Sequence, residues 1–345
     1  MASSENDSVL SQDGSSEVLS TYGVTYKDYS IDFEDSYKIS STTGGKITYY
    51  IDPCKVNGYY AYNFYFEIYQ EDNDEDLHFV KNITYFYSTT DRTSRYYAYT
   101  FAKNFLLPGE YVLAAINDYD DKVMDVATLK VSGTEVITPT SAYSAYYNSG
   151  KKMTVTVKDK VTGKLLKYVK INAVFSNGKK TVTKTYSTNA KGKISFVPPV
   201  GFGTWTVTFS SGMSYIKASS VKKKVVVKKS NVAIKAYGVR GYEGLKVTLK
   251  AVVKSQGKNV KEGTVTFILN GKSYVAKVKN GVATKKIALP ASKVYRYYAI
   301  FKGSNFNSPK KTYATAVSLK RYATKILARN VAAYRSTASY PCMWV

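Results

Sequence analysis

Apolar and polar residues alternate with period two along most of the chain, in short runs separated by glycine, asparagine, proline and serine. That is the pattern of half-buried β-strands. The stretch GTVTFILNGKSYVAKVKNGVATKKIALP, residues 263–290, shows it plainly. Val265, Phe267 and Leu269 fall on one face of a first strand, and Tyr274, Ala276 and Val278 on one face of a second, while Lys277 and Lys279 point to water. Asn270-Gly271 and Asn280-Gly281 each supply the two residues of positive φ that a type I′ hairpin turn needs, so three successive antiparallel strands are expected. Helical periodicity is absent throughout.

From about Thr25 to Ser132 the alternating runs are rich in tyrosine: GKITYYI, YYAYNFYFEIYQ, FVKNITYFYS, RYYAYTFA, GEYVLAAIND and VATLKVSG. After Gly133 two segments of about 90 residues, the size of a small β-sandwich, overlay on each other. GKKMTVTV (150–157) matches GLKVTLKA (244–251), and VFSNGK (174–179) matches FILNGK (267–272). NAKGKISFVPP lies over KNGVATKKIALP, WTVTFSSG over YYAIFKGS, and both segments close on lysine-studded strands. Each offers about seven short strands with turn signals between them, the signature of an immunoglobulin-like sandwich without the Cys-Trp-Cys core.

The expected fold class is therefore all-β, with tandem Ig-like β-sandwich domains in an elongated array. An acidic, tyrosine-rich sandwich would occupy residues 22–135, and basic Ig-like repeats residues 136–230 and 231–320. Residues 1–21, rich in Ser, Asp and Glu, have too little to bury to offset their ordering entropy and are expected to stay disordered. Residues 321–345 read as the truncated start of a further repeat, because TKILARNVAAYRSTASY resembles the entry to the second sandwich.

Charge divides the chain. Residues 1–135 hold 22 acids and 10 bases, and residues 136–345 hold 3 acids and 40 bases, within a net charge of +25. A basic field of that strength gathers anionic partners and acts over about 8 Å in physiological salt. The lysines, however, spread along many strands instead of clustering with arginine or aromatic readers, which disfavours nucleic acid. Solvated outer faces that protect strand edges explain them.

Catalysis and redox chemistry have little to stand on. The single histidine, His78, excludes a multi-histidine metal site and leaves any general base one candidate position. Cys54 and Cys342 lie near opposite ends, in different expected domains, and predict no disulfide within one domain. No apolar run approaches the ~20 residues of a membrane span, and the N-terminal segment lacks the basic and apolar regions of a signal peptide.

Three groups of residues carry candidate binding chemistry. Asp72, Asp74 and Asp76 have the spacing that opens a calcium loop, but Leu77 stands where glycine is needed and Ile83 where the closing glutamate belongs. The residues favour a solvated acidic hairpin tip, with calcium as the alternative and no other cofactor. Asp118, Asp120 and Asp121 could join such a site if both loops shared an end of the sandwich. In YYAYNFYFEIY, one face takes Tyr60, Tyr62, Phe64, Phe66 and Ile68, enough to line a core. The other takes Tyr59, Tyr65 and Tyr69 with Asn63 and Glu67, and a tyrosine's apolar body and polar tip suit stacking on sugars or docking proteins. The competing reading is that tyrosine is simply a good strand former. Asn6 and Asn82 head glycosylation sequons. An intramolecular Lys-Asn isopeptide bond needs a buried acid beside the pair, and the second expected domain offers only Asp159, the third only Glu243 and Glu262; none is expected.

The stretches GTVTFILNGKSYVAKVKNGVAT, TNAKGKISF, PGEYVLAAINDYDDK and TKILARNV resemble the bacterial Ig-like repeats of adhesin-like cell-surface proteins, especially those of methanogenic archaea. The resemblance covers about residues 25–340. It implies an extracellular, cell-anchored stalk of tandem Ig-like domains that binds surface glycans or proteins of other cells or a host, or cell-wall polymers, and it carries no catalytic residues. No signal peptide or anchor is visible in this sequence to match it. The expectation is a non-catalytic adhesin-like protein. The alternative is a polyanion-binding β-protein, for nucleic acid or anionic wall polymer, acting through residues 136–320.

Overall fold

The computed structural model describes residues 29–321, apart from 53, 57–58, 89–94, 119, 219, 291–292, 308 and 313–314. The segments expected to be disordered (1–21) and to begin a further repeat (321–345) lie outside it, save for residue 321. The described chain is built of strands, and it divides into two compact units, Met1–Lys229 and Ser230–Val345.

The first unit holds two β-sandwiches. The first of them uses β1 (Ser30–Phe33), β2 (Ser36–Ser40), β3 (Gly45–Asp52), β4 (Cys54–Val56), β5 (Tyr59–Glu71), β6 (Leu77–Ser88), β7 (Arg95–Phe101), β8 (Gly109–Asn117) and β9 (Val123–Pro139). β1, β3 and β7 form one sheet, and β2, β9, β8, β5, β6 and β4 belong to the other. Alternation places Ile47, Tyr49 and Ile51 of β3 against Phe64, Phe66 and Ile68 of β5, all buried. The core is aromatic, with Tyr49 edge-on to Phe66 at 5.1 Å and Phe86 stacked on Phe64 at 4.9 Å. Rings of this size supply large buried area and set their own geometry.

The second sandwich uses β10 (Tyr143–Tyr146), β11 (Met153–Asp159), β12 (Lys170–Ser176), β13 (Thr181–Ser187), β14 (Lys193–Phe196), β15 (Gly203–Ser211), β16 (Ile216–Ala218) and β17 (Val221–Lys228). One sheet runs β10-β17-β15-β12-β13, and β14 and β11 join β9 in the facing one. Trp205, Val207, Phe209, Ile171, Ala173 and Phe175 meet Val155, Val157 and Ile194 between the layers.

β9 belongs to both sandwiches. Its first half pairs with β8 and β2, over Val123 to Ser132, and its second half with β11 and β16, over Gly133 to Pro139. One continuous strand thus closes the first sandwich and opens the second, and the boundary expected after residue 135 falls inside it.

The second unit is a third sandwich of β18 (Ala233–Ala236), β19 (Val239–Tyr242), β20 (Lys246–Ser255), β21 (Lys258–Asn259), β22 (Thr264–Leu269), β23 (Lys272–Lys277), β24 (Val282–Ala288), β25 (Val294–Lys302) and β26 (Thr315–Lys320). It repeats the second: β11, β12, β13, β14, β15 and β17 correspond to β20, β22, β23, β24, β25 and β26, at the stretches that overlay in sequence. All three sandwiches also share a parallel pair between an early strand and the last: β2 with β9, β10 with β17, β19 with β26. The fold class is tandem Ig-like β-sandwiches, as the alternation and the turns predict.

The turn at Asn270-Gly271 adopts positive φ at both residues and joins β22 to β23 as a hairpin. Asn280-Gly281 has the same φ signs but a different outcome. β24 pairs with β20 in the opposite sheet instead of extending the β22–β23 hairpin, which corrects the expectation of three successive antiparallel strands. The bonds Gly281 N to Val260 O and Val253 N to Gly281 O, both 2.7 Å, draw the turn across. There β24 can bury Ala283 and Ile287 between the layers.

Candidate binding surface of the first sandwich

The outward face of β5 is where the sequence places its candidate tyrosines. Tyr65 is half-buried and donates its phenol proton to Asp121 Oδ1 at 3.1 Å, while Asn63 Nδ2 donates to Asp118 Oδ2 at 2.6 Å. Burial pushes the Tyr65 phenol well up from its ordinary value, helped by the bond to Asp121 and the nearby Glu67 charge. It stays a neutral donor. Tyr69 donates to Glu67, but its ring is only 3% exposed. It packs with Ala114 and Ile116, and with the partly buried Leu77, Val112 and Val123, as a small satellite core on the outside of the sheet. The side chain of Tyr59 lies outside the described residues, as does Asn6. Asn82 is exposed on β6, opposite Glu67.

The exposed aromatic surface comes from β6. Tyr85 is 57% exposed and its ring lies 5.1 Å from that of Tyr65; Phe79, equally exposed, stands edge-on to Tyr69 at 5.9 Å. Strict alternation would put Phe79, Lys81, Ile83 and Tyr85 on one face, yet Ile83 is buried. The register of β6 against β5 shifts twice, between Phe64 and Phe66 and between Ile68 and Tyr69. Bulges of this kind insert an unpaired residue and re-aim side chains. They turn Tyr85 and Phe79 outward while Ile83 stays in the core. The sequence carries no local mark of either bulge, so these residues escape a reading by period alone.

The two acidic turns sit at opposite ends of β5. The turn after Asn117 lies beside Asn63, and the turn from Asp72 to Asp76 follows Glu71, eight strand residues away, or about 26 Å. They do not share an end. Within the second turn, Asp72 Oδ1 accepts the amides of Asp74 and Asp76 at 2.9 and 3.1 Å, and Oδ2 meets His78 Nε2 at 2.8 Å. The His78 bond and these amides hold the Asp72 carboxyl below its usual range. Its oxygens are committed to the turn, which explains the Asp-rich spacing as local capping. No group of three His, Cys, Asp or Glu side chains able to hold a metal occurs among the described residues.

His78 also stacks on Tyr168 of the second sandwich, centroids 5.6 Å apart at 11°, while Gln70 Nε2 donates to Lys167 O at 3.0 Å. Tyr215 donates to Glu110 at 2.9 Å beside a cleft of about 320 Å³ that Glu71, Asp72, Glu110 and Tyr168 help to line. These contacts brace the joint that β9 begins.

No protein-family model matches the chain, and no curated protein matches it in sequence. Among solved structures, the FN1–FN3 domains of chicken CNTN1 align with a TM-score of 0.31 at 9% identity, covering 84% of this chain and 98% of that one. The D0-D1 domain of intimin aligns with a TM-score of 0.20 at 19% identity, over 53% of this chain and 97% of that one. The Yersinia pseudotuberculosis adhesin InvE aligns with a TM-score of 0.26 at 12% identity, over 54% and 58%. At these scores and identities the likenesses assign no function.

Proposed function

We propose that this chain is a non-catalytic, adhesin-like cell-surface protein whose first sandwich docks glycans or surface proteins on the strip formed by Tyr85, Tyr65, Glu67 and Phe79. The observation that carries the reading is the exposed Tyr85 ring beside a Tyr65 fixed by Asp121. One ring offers an apolar face, the other is held rigid by the sheet, and Glu67, Asn63 and Asn82 border them with hydrogen-bonding groups. Such a pre-organised, amphipathic patch suits a neutral sugar or a peptide edge. The second sandwich, joined to the first through β9, serves as its support. No helix among the described residues is long and apolar enough to cross a membrane.

A glycan and surface-protein array probed with the full chain and with Tyr85→Ala tests this. Selective binding that drops about five-fold or more in the variant is expected, as for an interface aromatic. Unchanged binding by Tyr85→Ala would place recognition elsewhere.

A further inference from the structure

The outer face of the sheet β10-β17-β15-β12-β13 is lined with small hydroxyl and amide side chains. Thr204, Thr206 and Thr208 of β15 and Thr181, Thr183 and Thr185 of β13 point outward, flanking Asn172, Val174 and Ser176 of β12. Register aligns them in rows: Lys224, Thr206, Ser176 and Thr181 in one, Lys222, Thr208, Val174 and Thr183 in the next. Rows recur about every 7 Å along the strands, and strands about every 4.8 Å across. At one end stand two exposed aromatics, each with a lysine over its ring. Tyr146, 52% exposed, carries Lys228 Nζ at 5.8 Å, and Phe202, 50% exposed, carries Lys229 Nζ at 4.9 Å.

Charge on this sandwich has one sign at the surface. Residues 136–229 contain eighteen lysines, no arginine and one acid, Asp159, which is buried. Every exposed charge there is positive.

We propose that this face binds an anionic polysaccharide, a polymer of uronate sugars. The three features match its chemistry separately. Aromatic rings take the C–H faces of sugar rings, as amphipathic platforms do at interfaces. Threonine, serine and asparagine both donate to and accept from sugar hydroxyls. Lysines meet carboxylates as point charges, without the planar fork that arginine brings to phosphate and base edges. A polyanion bound by charge alone would use the lysines and ignore Tyr146 and Phe202. The site is separate from the Tyr85 strip, and the two stand or fall independently.

Calorimetric titration of the full chain with polygalacturonate at about 0.15 M salt tests the proposal. The comparison ligands are the fully methyl-esterified polymer, polyphosphate of matched charge and a single-stranded oligonucleotide. Polygalacturonate should bind most tightly, and Tyr146→Ala and Phe202→Ala should each weaken it about five-fold or more while leaving polyphosphate affinity unchanged. The double variant Lys222→Gln, Lys224→Gln should weaken both anions and lower the salt dependence. Both aromatics are exposed, so circular dichroism should show the variants folded. Equal or tighter binding of polyphosphate or the oligonucleotide, indifference to both aromatic substitutions, or no binding of polygalacturonate would each overturn it.

Discussion

Glu135 on β9 and Asp159 on β11 stand directly opposite each other in the antiparallel ladder, and both are 2% exposed. The Lys160 amide bonds Thr134 O at 2.8 Å, which marks the adjacent pair as hydrogen-bonded and makes Glu135 and Asp159 the non-bonded pair, where side chains approach closest. Asp159 Oδ2 accepts the Thr162 amide and hydroxyl, both at 2.7 Å. Asp159 Oδ1 and both Glu135 oxygens have no hydrogen-bond partner of good geometry. So the one acid of residues 136–229 faces a carboxylate, not a lysine, at the joint between two sandwiches.

Burial pushes the Glu135 carboxyl up to about 7, with the nearby Ser211 hydroxyl pulling the other way. Because the folded value lies above the unfolded 4.5, the folded state holds the proton more tightly. That contribution is fully present below the unfolded value and is lost as pH rises through about 7. Urea unfolding should therefore show the first unit about 3 kcal/mol less stable at high pH than at low pH from this group, since each tenfold difference in proton affinity between the two states is worth ~1.4 kcal/mol. Glu135→Gln, neutral at every pH, should flatten the slope; an unchanged slope would assign it to other groups.

Sharing β9 should make the first two sandwiches unfold together. β17 ends at Lys228 and β18 begins at Ala233, so no strand is shared with the third sandwich. Calorimetry should resolve two transitions, not three. Gly133 lies within β9, and a Cβ there would stand 2.2 Å from Pro108 Cγ and 2.7 Å from Ser41 Oγ. Gly133→Ala should cost about 1–3 kcal/mol, the usual penalty of overpacking, and lower only the transition of the first unit.

The third sandwich tests the register directly. Phe267 is fully buried and Val275, on the neighbouring strand, is 55% exposed. Phe267→Ala should cost about 3–5 kcal/mol, and Val275→Lys should change stability by less than about 0.5 kcal/mol. Chemical denaturation of the second unit's transition checks both, and reversed sensitivities would contradict the pairing of Thr266 with Val275.

The strands and their buried faces were legible because alternation and turn chemistry are local. Val265, Phe267 and Leu269 are buried as their period requires, and Asn270-Gly271 turns as its residues require. Which sheet a strand joins is not local: Asn280-Gly281 carries the same signal and sends β24 to the facing layer. The outward tyrosines were half legible. Tyr65 is where alternation puts it, but bulges in β6 expose Tyr85 and Phe79, and the satellite cluster buries Tyr69. Continuity of β9 was hidden because VATLKVSG reads as the last run of one region, with the overlaying segments starting after Gly133. Here pairing of Ser132 with Ser40 and of Gly133 with Ile216 holds both extended.

The proposed recognition by the first sandwich runs through aromatic contact at Tyr85, not through charge. The most direct measurement is the affinity of the intact chain for its best array ligand across a salt series, for the native sequence and Tyr85→Ala. Contacts of this kind are weakly screened, so the native affinity should change by less than about three-fold between about 0.05 and 0.5 M salt, with Tyr85→Ala weaker throughout. Affinity that falls steeply with salt and is indifferent to Tyr85→Ala would contradict it.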